Sequence, residues 1–220
     1  MRKFFTDRTP PDRTRLARIY DSHAPTWLQR ESRAETRLAS EQWRDDLVAE
    51  IRGDVLEIGL AAGDTLRRLS RYDHDVTSFT GIDISPGMIE QASGAAPNFS
   101  TPVYLQVADA EDLSMFADDS FDTVTASLVL CTIPDVPKAL AEIARVLRPN
   151  GRLVLIEHVL SPNWLIGRLQ KLVAPIQIRA MGCHLDRTTI ETLERRDYRI
   201  EEQRRRIFGI MRFVIARPPA

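Results

Sequence analysis

Asp83 closes the short apolar run 79–83, twenty residues after Gly63. An acid at the tip of the second strand of a doubly wound sheet is placed to hydrogen-bond both ribose hydroxyls of an adenosine ligand. Two charge-assisted hydrogen bonds at roughly 1.5 to 3 kcal/mol each would make Asp83 the largest single polar contribution to holding such a nucleoside. Upstream, VLEIGLAAGDTLRRL (residues 55–69) reads as an apolar strand, a Gly/Ala turn and a helix opened by Asp64 and Thr65. A strand that ends beside a helix N-terminus leaves backbone N–H groups facing one crevice, where an anionic or polar ligand can lie. Gly59 and Gly63 supply the unusual dihedrals and the missing Cβ that close backbone approach requires, and Glu57 sets one acid beside the turn. The spacing of Gly59, Ala61 and Gly63 does not fit G-x-G-x-x-G, which argues against a nicotinamide dinucleotide.

These residues need a sheet to hold them. The apolar run 103–108 ends in Asp109-Ala110, the run 121–127 ends at Ser127 and continues into LVLCTIPD, and 152–156 delivers Glu157-His158. All are strand C-termini, the edge at which open α/β sheets bind ligands. Between them, helical periodicity predicts helices over 13–20 and over 31–51, the latter burying Leu38, Trp43, Leu47 and Val48. Ser85 is an N-cap with Pro86 at the first helical position. A helix begins at Asp135 and runs to 147, where Pro149-Asn150-Gly151 stops it. Residues 161–184 are apolar and helical in period, broken at Pro175 and Gly182. Trp164, Leu165, Leu169, Leu172 and Ile176 on that stretch are expected either to line a substrate pocket or to pack on the core. A further helix takes Asp186 as its N-cap, and 198–206 with 208–217 reads as a closing antiparallel pair turning at Gly209.

Together these motifs resemble the class I S-adenosylmethionine-dependent methyltransferases over nearly the whole chain. EIGLAAG looks like their E-x-G-x-G-x-G, GIDIS like their ribose acid, VADAEDL like their adenine-contacting segment and EIARVLRPNGRLVLIE like their run into strand five. IYDSHAPTW resembles the Y-D-x-x-A-x-x-Y/W entry segment of the ubiquinone and menaquinone type. A narrower pattern, LVLCTI, EHV, Trp164 and then Gly182-Cys183-His184-Leu185-Asp186-Arg187, resembles the methyltransferase-like thiol methyltransferases of animals and bacterial relatives labelled phosphatidylethanolamine N-methyltransferase.

The resemblance implies an α/β fold: a Rossmann-like seven-stranded sheet, mostly parallel with a C-terminal antiparallel strand, helices on both faces. It implies a helical cap over residues 1–50 and a methyltransferase domain over 51–220 with a helical substrate lid at 161–185. S-adenosyl-L-methionine is the implied cofactor. Its expected contacts are Tyr20 at the methionine carboxylate, with Trp27 walling the pocket, Glu57, Gly59, Ala61 and Gly63 around the turn, Asp83 and Ile84 at the ribose, Met88, Asp109 and Ala110 at the adenine, and Ser127. Tyr20 and Trp27 are equally readable as anchors of a terminal helix, and Met88 as a core residue. Ala61 departs from the family glycine and sets a Cβ where backbone usually approaches the cofactor.

Methyl transfer from a sulfonium asks little of side chains beyond placing the acceptor about 3 to 3.5 Å from the carbon. A base is needed only if the acceptor is protonated. A thiol of pKa about 8.5 needs little help, whereas a phenol of about 10 needs more. His158 and His184 are the candidate bases, although a histidine after a strand commonly bonds only backbone. The expected acceptor is small and partly apolar, sulfur slightly ahead of nitrogen or oxygen. Alternatives are a phospholipid amine, or a non-methylating cofactor-binding or regulatory module on the same fold.

Composition agrees. A 220-residue chain with 43% hydrophobic residues can bury one substantial core. Thirty basic against 31 acidic residues leave a net charge of −1, so no global field favours nucleic acid or an anionic membrane. Two cysteines, Cys131 and Cys183, make neither a disulfide framework nor a zinc site, and are expected to be packed thiols. No apolar run reaches the roughly 18 residues of a membrane span, and no secretory leader is read at the N-terminus. A cytoplasmic protein is the expectation, with a small-molecule or lipid-like substrate, no integral membrane segment and no metal.

Overall fold

The first strand, β1 (Gly53–Ile58), is buried on both faces along its last four residues, which an interior position in a parallel sheet demands. The computed structural model describes residues 9–31, 34–71, 75–96, 99 and 101–219, with side chains of 30, 31 and 34–40 outside the description. On one side β1 pairs in parallel with β2 (Val76–Asp83), which pairs with β3 (Val103–Val107). On the other it pairs with β4 (Phe121–Ser127), which pairs with β5 (Leu147–His158). Strand β7 (Met211–Arg217) adds antiparallel to β5, and β6 (Arg199–Arg206) adds antiparallel to β7. The order is β3-β2-β1-β4-β5-β7-β6. The chain direction reverses its walk between β1 and β4, which opens the crevice at that point. The expected sheet, with one strand running against the rest, is present.

Core side chains alternate between the two faces. Leu56, Val124, Leu153 and Leu155 point to one side, against Leu140 and Ile143 of α6 (Val136–Val146) and Leu193 of α8 (Thr189–Arg195). Val55, Phe79, Val154 and Ile156 point to the other, against Trp43 and Leu47 of α3 (Ala34–Ala49) and Leu66 and Leu69 of α4 (Asp64–Leu69). Trp43, Leu47 and Val48 are buried as expected; the Leu38 side chain lies outside the described residues. Helix α5 (Pro86–Ser93) starts at the predicted Ser85 cap, whose Oγ accepts from Met88 N at 3.1 Å. Asp135 caps α6 through Lys138 N at 3.0 Å.

Some boundaries differ from expectation. Helix α1 (Arg13–His23) runs three residues further, capped by Asp12, and a short α2 (Trp27–Glu31) follows a single 3-10 turn. Helix α7 (Trp164–Met181) passes through Pro175 unbroken and stops at Gly182, whose φ of +71° is left-handed. Proline removes one backbone donor, yet the helix continues past it with the Pro175 ring buried. Thr188, not Asp186, precedes α8. Residues 147–151 extend β5: Phe121 pairs with Leu147 and Thr123 with Arg152, so Pro149-Asn150-Gly151 bulges within a strand instead of forming a turn before it. Phe208 belongs to the turn before β7, at φ +53°.

Candidate cofactor and acceptor site

A cavity of about 460 Å³ opens at the C-terminal ends of β1, β2 and β4. Its floor is the turn after β1. Gly59 sits at φ +68°, and an added Cβ would lie 2.4 Å from the Val129 side chain, so only glycine fits. The N–H groups of Gly59 and Leu60 both donate to the Ile82 carbonyl, at 2.9 and 3.0 Å, which locks the turn onto β2. Ala61 holds φ +48°, a left-handed conformation in place of the glycine one. Its N–H donates to Asp83 Oδ2 at 3.0 Å, so the Cβ departure leaves the turn intact. Gly63, at φ +81°, is the N-cap of α4, and a Cβ there would touch Ala92 at 3.2 Å. It shapes the turn without lining the cavity.

The acids are gathered as predicted. Asp83 accepts from Ala61 N and from Ser85 N at 2.9 Å; burial pushes its carboxyl up against those two bonds. Glu57 is buried and accepts from Thr65 Oγ1 at 2.6 Å. Asp109, Ala110, Ile84 and Ser127 line the same cavity. Asp109 is clamped by Arg13 Nε at 2.6 Å, and Arg13 also donates to Glu111 at 2.7 Å. Met88 is fully buried and absent from the lining, so it is a core residue, set there by the inward face of α5.

Helix α1 covers the cavity. Its Asp21 Oδ1 accepts from Ser85 Oγ at 2.5 Å and Gly87 N at 2.9 Å. Tyr20 and Trp27 both line the cavity, with ring centroids 5.9 Å apart. The Tyr20 hydroxyl, expected at the methionine carboxylate, donates instead to the Met181 carbonyl at 3.1 Å, and its burial raises its pKa. Neither Arg13 nor Asp21 was legible as a site residue, because their partners stand 64 to 98 residues away.

The acceptor side departs most from expectation. None of Trp164, Leu165, Leu169, Leu172 and Ile176 lines the cavity; they face outward from α7, which contributes Gln177 and Met181 instead. His158 and His184 are likewise absent from the lining. His158 Nε2 lies 3.1 Å from Cys183 Sγ, and the His184 N–H donates to the Cys131 carbonyl at 2.9 Å. Around them Glu157, 1% exposed, accepts from Cys131 N at 3.2 Å and His158 N at 2.9 Å. Burial opposes charge on His158, but its bond to Cys183 and the Glu157 carboxylate lift it to about 9. Cys183, hydrogen-bonded by Cys131 and His158, is held at about 5 despite burial, while burial drives Cys131 well up.

A family model described as a methyltransferase domain matches residues 56–155, which contain the turn, Asp83, Asp109 and Ser127. Over those residues the chain is similar to the class I S-adenosylmethionine-dependent methyltransferases. The chain is 35% identical over 121 residues to the ubiquinone/menaquinone biosynthesis C-methyltransferase UbiE of Geotalea daltonii, covering 52% of this chain and 51% of that one. It is 32% identical over 136 residues to phosphatidylethanolamine N-methyltransferase of Cereibacter sphaeroides, covering 61% and 64%. A solved S-adenosylmethionine-dependent methyltransferase of Methanosarcina mazei superposes with a TM-score of 0.60 at 25% identity, covering 76% of this chain and 92% of that one. The chain thus spans about half the length of the first curated relative and under two thirds of the second. S-adenosylmethionine, the cofactor named for that solved neighbour, is a group the cavity fits. The Ser127 hydroxyl and the Trp27 indole N–H are buried on its wall with no hydrogen-bond partner among the described residues.

Proposed function

We propose that this chain transfers a methyl group to a small, partly apolar acceptor, with a thiol favoured. When bound, S-adenosylmethionine supplies an electrophilic methyl group carried on a sulfonium. Asp83 is the residue for the ribose hydroxyls: each of its oxygens spends one lone pair on a backbone N–H and keeps another for a ligand O–H. Glu57 and Ser127 offer polar atoms beside the turn, and Asp109, steadied by Arg13, offers one at the adenine edge. Leu16, Leu128, Ile133 and Met181 make an apolar wall that excludes water and holds the acceptor by shape. Positioning of that kind can supply roughly 7 to 11 kcal/mol of a barrier.

The observation that carries the choice of acceptor is the lining itself, which holds no histidine and no lysine among the described residues. An acceptor that ionises appreciably near neutrality needs the least from such a wall, and a thiol at about 8.5 does so more readily than a phenol at about 10. A second reading, methylation of a phospholipid amine, draws support from the likeness to phosphatidylethanolamine N-methyltransferase. Incubation with methyl-labelled cofactor and a panel of thiols, amines, phenols and phosphatidylethanolamine vesicles tests both. Label transfer to a thiol with stoichiometric S-adenosylhomocysteine is expected. Transfer to the lipid amine alone would replace the first reading with the second, and cofactor binding without product from any acceptor would remove both in favour of a binding module.

A further inference from the structure

We propose that Cys131, His158 and Cys183 form a site for one thiophilic cation, Zn²⁺ by its donor set. One ligand atom from each residue lies within 4.8 Å of the others. Ligand atoms of a tetrahedral zinc site, with Zn–S about 2.3 Å and Zn–N about 2.0 to 2.1 Å, stand about 3.5 to 3.8 Å apart. Small side-chain adjustments therefore suffice. The three residues come from the loop after β4, the last residue of β5 and the loop after α7, and both cysteines are free and buried. His158 turns Nε2 toward the thiols. Its buried Nδ1 has no hydrogen-bond partner among the described residues, and Glu157 Oε1 stands 4.0 Å away. A carboxylate behind the far nitrogen of a ligating histidine is the usual arrangement for fixing the ring on a metal.

Charge points the same way. Two thiolates balance a divalent ion, and Glu157 is balanced by the charge of Arg187, which interacts with all of these groups. The loaded cluster is neutral. Thiolate and imidazole donors select zinc or copper(I) over magnesium or calcium. Since Thr132 and Met181 line the cavity, the ion would clip together three segments behind the acceptor wall without entering it.

Titration of the freshly reduced chain with Co²⁺ as a spectroscopic stand-in tests this. One equivalent is expected to give a thiolate-to-cobalt charge-transfer band that Zn²⁺ abolishes, and Zn²⁺ should raise the thermal midpoint. Cys131→Ser and Cys183→Ser should each halve the band and weaken binding at least tenfold, with folding checked by circular dichroism. No stoichiometric uptake by the unaltered chain, an adduct without the band, or uptake unchanged in both variants would overturn the site.

A separate observation carries a second inference. Trp164, Leu165, Leu169, Leu172 and Ile176 on α7 are 45 to 74% exposed, and Phe208, 73% exposed, joins them where Ser161 Oγ donates to its carbonyl at 2.6 Å. Helix α7 contains no acid; Arg168, Lys171 and Arg179 are its charged residues in a chain of net charge −1. We infer that this face rests on an anionic bilayer, the apolar side chains entering the interface and the cations meeting lipid phosphates. Flotation with phosphatidylglycerol-containing vesicles should capture the chain, far less with phosphatidylcholine alone and less at high salt. A Leu169→Glu, Leu172→Glu double variant should lose at least fivefold in binding while keeping its circular dichroism. No capture of the unaltered chain, or sedimentation showing a dimer that the double variant dissolves, would overturn the inference.

Discussion

Ala61 shows how a residue can break a motif and keep its geometry. An L-residue in the left-handed region costs roughly 1 to 2 kcal/mol, while replacement by glycine loosens the unfolded chain by about 0.4 to 1 kcal/mol. Because the first exceeds the second, Ala61→Gly should raise the urea midpoint slightly, by the equivalent of about 0.5 to 1 kcal/mol. Cofactor affinity should stay within twofold, since the N–H bond to Asp83 is backbone. Asp83 is the opposite case, a residue named from its place in a strand that lines the cavity at the end of β2. Asp83→Ala should weaken S-adenosylmethionine at least tenfold in titration calorimetry. Its carboxyl is raised by burial, so as an acid with an elevated folded value it makes folding relatively more favourable as pH falls. Cofactor binding uses the charged form and runs the other way. Affinity should decline on acidification with a midpoint above the ordinary aspartate value of about 3.9, and that decline should be missing from the alanine variant.

At the scale of elements, α7 decides the most. Its period was plain in the sequence, but an apolar stripe says only that one face avoids water or meets a partner, not which partner. The structure buries Gly167, Gln170, Ala174 and Ile178 and turns the leucines out. Gln170 is held inside by its own bonds: its Oε1 accepts from Ser161 N at 2.7 Å and its Nε2 donates to the Val159 and Leu185 carbonyls at 3.0 and 2.8 Å. A buried polar residue on the inner face could not be read from hydrophobic period. Ile178→Ala should therefore lower stability by about 2 to 5 kcal/mol, and Leu172→Ala by no more than about 0.5 kcal/mol, in parallel urea denaturations.

Across the whole molecule, the sheet and the N-terminal helix meet through a few polar ties. Asp21 reaches Ser85 and Gly87, Arg13 reaches Asp109 and Glu111, and Tyr20 reaches Met181. Asp21→Ala removes the acceptor for two of these donors, so amide exchange across 13–23 should speed by an order of magnitude while that of β1 and β4 stays unchanged. A cofactor that slows exchange in α1 of the unaltered chain but not of the variant would mark the helix as part of the site.

The positions of the strands along the chain, the glycine turn and the row of acids were legible in the amino-acid sequence, because backbone conformation and strand burial are enforced locally, residue by residue. Glu57, Asp83 and Asp109 could be named for that reason, each at the end of an apolar run. What tertiary structure alone decided was partnership across distance: Met88 turned inward, Tyr20 bonded to Met181, and His158 facing Cys183 instead of the cavity. Two cysteines 52 positions apart carry no spacing signal; only the convergence of β4, β5 and the loop after α7 sets their sulfurs beside one imidazole. Contacts between segments depend on how elements pack, and packing is a property of the folded chain that no local pattern records.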